Sequence, residues 1–157
     1  MKFLTTNAPN SRLLFLKFPI SNRPNPWDTL VQFDQFIDRQ RKLDWANSSI
    51  IMHFSKSSTD EQFNSDAYLF GREVVGHMNN ELLDGFELQD FNNGASLSCQ
   101  LEPNQKWEKV WQLEKEIRNS RPELDAPWRL VWNGQKKQEQ QYKLGASLHF
   151  FYKNRGK

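Results

Sequence analysis

At 157 residues, with 25% charged and 37% apolar residues, the chain is sized and composed for one folded domain of residues 1–157 and not for a disordered tail. A net charge of +2, with no basic run longer than Lys136-Lys137, excludes a face built to displace counterions from nucleic acid. The single cysteine, Cys99, excludes an internal disulfide framework and predicts a reducing, cytoplasmic setting.

The first residues, Met1-Lys2-Phe3-Leu4, run into Thr5, Thr6, Asn7 and Pro9, which predicts no signal peptide, and no later stretch predicts a membrane partner. Residues 12–20 read as a strand, an apolar run of Leu13 to Leu16 and Phe18 ended by Pro19. Asn25 then suits an N-cap, Pro26 a first helical position, and Asp28 the positive end of the dipole. A helix is expected over 26–43, with Trp27, Leu30, Val31, Phe33 and Ile37 on its apolar face. Strands come next at 49–54 and 67–75, and a short one at 85–88 before the turn residues Asn92-Asn93-Gly94.

From Ala95 the order starts again. Ala95, Leu97, Cys99 and Leu101 alternate with polar residues as a half-buried strand. A second helix is expected over 103–119, with Trp107, Val110, Trp111, Leu113 and Ile117 as its stripe. Strands at 128–132 and 142–152 complete the second unit.

Individual residues repeat along with the elements. Trp27-Asp28-Thr29-Leu30-Val31-Gln32 matches Trp107-Glu108-Lys109-Val110-Trp111-Gln112, and Ile37 falls on Ile117. After one inserted residue, Leu43-Asp44 falls on Leu124-Asp125. Two half-domains, about 10–76 and 93–153, are therefore expected. Neither can bury both a helix stripe and a sheet face alone, so the predicted class is α+β: duplicated strand–helix–strand–strand units forming one antiparallel sheet with two helices packed on one face. The groove between the halves is then the natural concave site.

Chemistry-bearing residues are sparse. His53, His77 and His149 lack metal-ligand spacing and read as surface or rim residues, so neither a metal nor another cofactor is expected. There is no nucleophile elbow and no phosphate-binding glycine loop, and Cys99 reads as a small core residue. The aromatic content, 13% with six Trp and twelve Phe, serves first a dense core and second the walls of a pocket for a flat molecule.

This layout resembles the GyrI-like effector-binding domain, the drug-sensing half of many bacterial regulators and the whole of some stand-alone proteins, including gyrase inhibitors. The resemblance covers essentially the full chain: a strand into a helix opening near Trp27, the strand at 50–54, the segment Phe70-Gly71-Arg72-Glu73-Val74-Val75-Gly76, a second helix opening at Trp107, and a last strand after a charged turn. It implies a non-enzymatic binder of a small organic molecule, with no direct nucleic-acid partner. The alternative is a protein-interaction module such as a gyrase inhibitor. The implied ligand-binding residues are Tyr68, Phe70, Trp111, Trp128, Arg129, Trp132 and Tyr142. Many family members carry a glutamate for cationic drugs on the strand after the second helix. Here the matching position is Arg129, or Leu130 in the next register, and neither is acidic. Facing outward, Arg129 is one more solvated charge; facing inward, it favours an anionic or neutral flat ligand.

Overall fold

The structure is a computed structural model that describes residues 2–8, 10–21, 25–77, 85–92, 94–102, 106–132 and 145–153. Its strands are β1 (Phe3–Ala8), β2 (Ser11–Pro19), β3 (Leu43–Trp45), β4 (Ile50–Phe54), β5 (Ala67–Gly76), β6 (Glu87–Phe91), β7 (Gly94–Gln100), β8 (Leu124–Trp132) and β9 (Ser147–Tyr152). The helices are α1 (Leu30–Asp38) and α2 (Trp107–Ser120).

The capping expectation at the first helix holds, because the Asn25 side chain accepts a hydrogen bond from the Trp27 N–H at 3.1 Å. The opening turn, Pro26–Thr29, winds as a 3-10 helix. Its tighter pitch shifts the phase of the α-helical turns after it. Val31, expected on the buried face, is left 55% exposed, while Leu30, Phe33, Phe36 and Ile37 turn inward. The helix also ends at Asp38 instead of 43, since Leu43 is drawn into β3 opposite Gly76 of β5.

All nine strands among the described residues join one antiparallel sheet in the order β1-β7-β9-β8-β4-β5-β2-β6, with β3 beside β5. Each half contributes a matching triplet, β2-β5-β4 and β7-β9-β8, and the halves meet at β4–β8. The stripes of α1 and α2 are buried in one apolar cluster with a single face of the sheet, as expected.

The duplication extends further than the repeated residues indicate. β1 precedes the first half yet pairs with β7 of the second, and β6 precedes the second yet pairs with β2 of the first. The halves thus exchange their edge strands. Leu43 and Leu124 are both buried and both pair with the last strand of their own half. In each half the next aspartate, Asp44 or Asp125, accepts from the backbone N–H after it at 2.8 Å.

The sheet cannot be flat. β1 and β2 stand six places apart in the sheet order, about 29 Å at the usual strand spacing. Yet Ala8 and Ser11 are three residues apart, a span of at most about 11 Å. The sheet therefore curls until its edges approach, and its second face becomes an interior. Leu13, Phe15 and Ile51 form a separate apolar cluster there, with Leu69, Phe91 and Val131.

Gly71 permits a close approach of β5 to β2. A Cβ at that position would lie 1.8 Å from the Leu14 carbonyl oxygen on β2.

Candidate functional site

β4 and β8, the junction of the halves, carry two different surfaces because successive strand residues point to opposite faces. Toward the helices, Ile50 pairs with Trp132, Met52 with Leu130, and Phe54 with Trp128. Toward the interior of the curl, Ile51 pairs with Val131 and His53 with Arg129.

On the helix side the aromatic rings converge from both halves. Trp27, at the start of the first helix, meets Trp132 edge-on at 5.0 Å and Phe70 at 5.7 Å. Trp111 of α2 meets Trp128 at 5.8 Å, Phe54 at 5.6 Å and Phe63 at 5.1 Å, and Phe54 stacks on Trp128 at 4.3 Å. Tyr68 lies 5.5 Å from Phe54. Aromatic pairs prefer these offset and edge-to-face arrangements, so the rings hold one another in place. The Trp128 indole N–H donates to the Lys56 carbonyl at 3.0 Å, whereas the Trp132 indole nitrogen is buried with no partner among the described residues.

The loop between β4 and β5 packs against one end of this aromatic cluster and is clamped by a residue that carries no motif in the sequence. Glu114 of α2 is fully buried. Its carboxylate accepts from the Ser57 hydroxyl at 3.1 Å, the Ser58 N–H at 3.0 Å, the Ser58 hydroxyl, and Arg118 Nε at 2.6 Å. One signal does point to it: Val110, Glu114 and Ile117 share the buried helical spacing.

On the interior face, Arg129 is 4% exposed and donates from Nε to His53 Nδ1 at 2.9 Å. Its guanidinium lies 4.7 Å from the Phe91 ring and 5.5 Å from that of Phe151. Burial, and then the Arg129 charge, holds His53 at about 3 and His149 at about 4, so both imidazoles are neutral near pH 7. Burial also lowers Arg129 to about 10, partly offset by Glu73, and it stays charged. His53 is thus buried, contrary to the surface or rim position expected for it, while His149 is half-buried with its Nε2 enclosed. The curl explains this: a central strand of a wrapped sheet has no solvent face.

Of the seven expected ligand residues, the structure brings together Tyr68, Phe70, Trp111, Trp128 and Trp132 on the helix side. Arg129 is parted from them by the alternation along β8, so it cannot anchor a ligand held between those rings. The residue of the Arg129/Leu130 pair that faces these rings is Leu130. Tyr142 lies outside the described residues. Among the described residues no cluster of three His, Cys, Asp or Glu could hold a metal, and no helix is long and apolar enough to cross a membrane.

A curled antiparallel sheet of two halves that exchange edge strands, with an aromatic cluster packed over their junction, defines the fold class. No family model matches the sequence, and no curated protein sequence does. Solved structures do match in fold. The EcmrR C-terminal domain superposes with a TM-score of 0.61 at 6% identity, over 96% of this chain and 95% of that one. SAV2435, solved bound to tetraphenylphosphonium, superposes at 0.54 with 11% identity, over 97% and 93%. A hydrolase from Listeria innocua superposes at 0.52 with 12% identity, over 97% and 92%. The fold is that of the GyrI-like effector-binding domains.

Proposed function

We propose that residues 1–157 form a single ligand-binding domain, with halves at about 10–76 and 93–153, that takes a flat and uncharged organic molecule into the cleft over β4–β8. The observation that carries this reading is the convergence of Trp27, Trp111, Trp128, Trp132, Tyr68 and Phe70 on one face, with the Trp132 indole N–H unpartnered among them. A rigid aromatic wall with one convergent donor suits a planar ligand bearing a single acceptor. Of the two positions that match the acid of the resembled family, Leu130 faces the aromatic cluster and Arg129 the opposite face, and neither favours a cation. The same feature favours binding over catalysis, since the pocket acid a hydrolytic relative would use is replaced. The domain then works in the cytoplasm, where Cys99 stays reduced, and acts by relaying ligand occupancy or by sequestering the ligand. The large apolar side chains exposed among the described residues, Leu4, Val31 and Val75, sit on three different elements and do not favour a protein-docking patch.

The test compares a neutral fluorescent dye such as Nile red with tetraphenylphosphonium and an anionic naphthalene sulfonate, by titration against intrinsic Trp fluorescence. The neutral dye is expected to bind at least about tenfold more tightly than either ion, and Trp132→Leu to weaken it about tenfold, from the loss of one ring contact and one donor. Tighter binding of the phosphonium, or an unchanged affinity in Trp132→Leu, overturns the assignment.

A further inference from the structure

The interior face of the curl holds polar atoms that the cleft does not use. Arg129 Nη2 and His149 Nε2 are both buried and both lack a partner among the described residues. They belong to residues directly opposite one another on β8 and β9. Among the described residues no carboxylate stands within ion-pair distance of Arg129; Glu73 raises its pKa from further off and is itself the acceptor of a 3.4 Å bond from Asn47. A buried guanidinium without a counter-ion is costly, and a polar nitrogen left unsatisfied beside it adds to that cost. We infer that Arg129 and His149 form a second site, separate from the aromatic cleft, for a small organic carboxylate on the concave face of the sheet.

The remaining contacts specify how such a group sits. Arg129 Nε is committed to His53 Nδ1, which fixes the plane of the guanidinium and places the His53 proton on Nε2. Phe91 and Phe151 lie against the guanidinium carbon. The free Nη2 then offers one charge-assisted bond, and His149, with its proton on Nε2, offers the second to the other carboxylate oxygen. The surroundings are apolar, with Ile51, Leu69 and Val131 on the same face, and suit the hydrocarbon part of a small acid. One arginine balances one negative charge. A phosphate dianion would bury a second charge without a partner, so a monocarboxylate is the fitting class. Arg129 between the two imidazoles also opposes any metal cation there.

The experiment titrates wild type with acetate, benzoate and inorganic phosphate at fixed ionic strength. It tracks the Arg129 side-chain N–H, the His149 imidazole and the Trp132 indole N–H by NMR. Saturable shifts at Arg129 and His149 with carboxylates, Trp132 unmoved, are the expected result. Arg129→Gln and His149→Gln are each expected to weaken acetate about tenfold, the loss of one charge-assisted or neutral bond. Should Arg129→Gln fail to fold, the wild-type spectra and His149→Gln decide. Shifts confined to Trp132, phosphate binding as tightly as acetate, or no saturable change would each overturn the site. None of these outcomes depends on Nile red occupying the cleft, so the two readings fail separately.

Discussion

Replacing Glu114 by Ala tests whether one buried carboxylate holds the aromatic cluster in shape. Glu114 ties the loop between β4 and β5 to α2 through three donors of Ser57 and Ser58, with Arg118 of α2 as a fourth, and the same loop carries Phe63, which packs on Trp111, and Lys56, whose carbonyl receives Trp128. Truncation leaves the Ser58 N–H and two hydroxyls facing a void and removes the counter-ion of Arg118. Breaking a buried pair from one side costs about 3–5 kcal/mol. Arg118 is 14% exposed and keeps bonds to the Asp125 and Ala126 carbonyls, which places the expected loss near the lower end, about 3 kcal/mol. Glu114→Gln preserves shape but gives up the charge and sets an amide N–H against the donors, for about 1–2 kcal/mol. Urea denaturation measures both losses, and limited proteolysis reports whether cutting within residues 55–66 accelerates. A loss below about 1 kcal/mol in Glu114→Ala, with no faster cutting, refutes the clamp, because solvation would then be replacing the carboxylate without cost.

The curl makes two further perturbations informative. His53 and His149 are held neutral by burial and Arg129 while the unfolded chain protonates near 6.5, so stability is complete above that pH and falls as pH drops toward about 4. Each imidazole contributes up to about 1.4 kcal/mol per pH unit in that window, and His149→Gln should reduce the slope; denaturation midpoints that stay level between pH 7 and 5 would contradict it. Gly71→Ala sets a Cβ against the backbone of Leu14 and Phe15, which no rotamer can relieve, so its cost should reach or exceed the top of the roughly 1–3 kcal/mol range for overpacking. A soluble, fully stable Gly71→Ala protein would mean that β2 and β5 approach less closely than this.

The duplication is legible in the sequence because spacing survives where identity does not. Trp27 and Trp107 both open helices, Ile37 and Ile117 are both buried, and Leu43-Asp44 and Leu124-Asp125 share pairing and capping. β1 is not legible, because Phe3–Ala8 lies at a sheet edge, where Leu4 is exposed and the polar residues Thr5, Thr6 and Asn7 carry no apolar alternation. β3 is three residues long, too short to show a period. The aromatic part of the site can be assembled from the sequence, but its link to Arg129 cannot stand. Trp128 and Arg129 are adjacent on a strand, and adjacency alone assigns them to opposite faces. The burial of His53 is out of reach for another reason: an alternating pattern supposes one wet face, and the curl removes it.

The charge presented to the aromatic cluster is consequently a property of strand register. A slip of one residue along β8 would bring the Arg129 guanidinium under the tryptophans and turn Leu130 toward Phe91, exchanging an apolar cleft for a cationic one. Several contacts oppose that slip. The pairing of Leu124 with Tyr152 and of Trp128 with Phe150 is separated by a register shift that fixes where β8 begins its main ladder. The Trp128 indole bond to Lys56 and the Arg129 bond to His53 then tie consecutive residues to different partners on opposite faces. Neither bond survives a one-residue displacement, and each would leave a buried donor unpaired, at about 1–3 kcal/mol apiece. His53 thus fixes the position of Arg129 without needing to touch any ligand, and in doing so keeps positive charge out of the aromatic cleft. Altering one residue of β8 would therefore change the charge presented to the aromatic cluster, provided that the neighbouring residues continue to hold the strand in place.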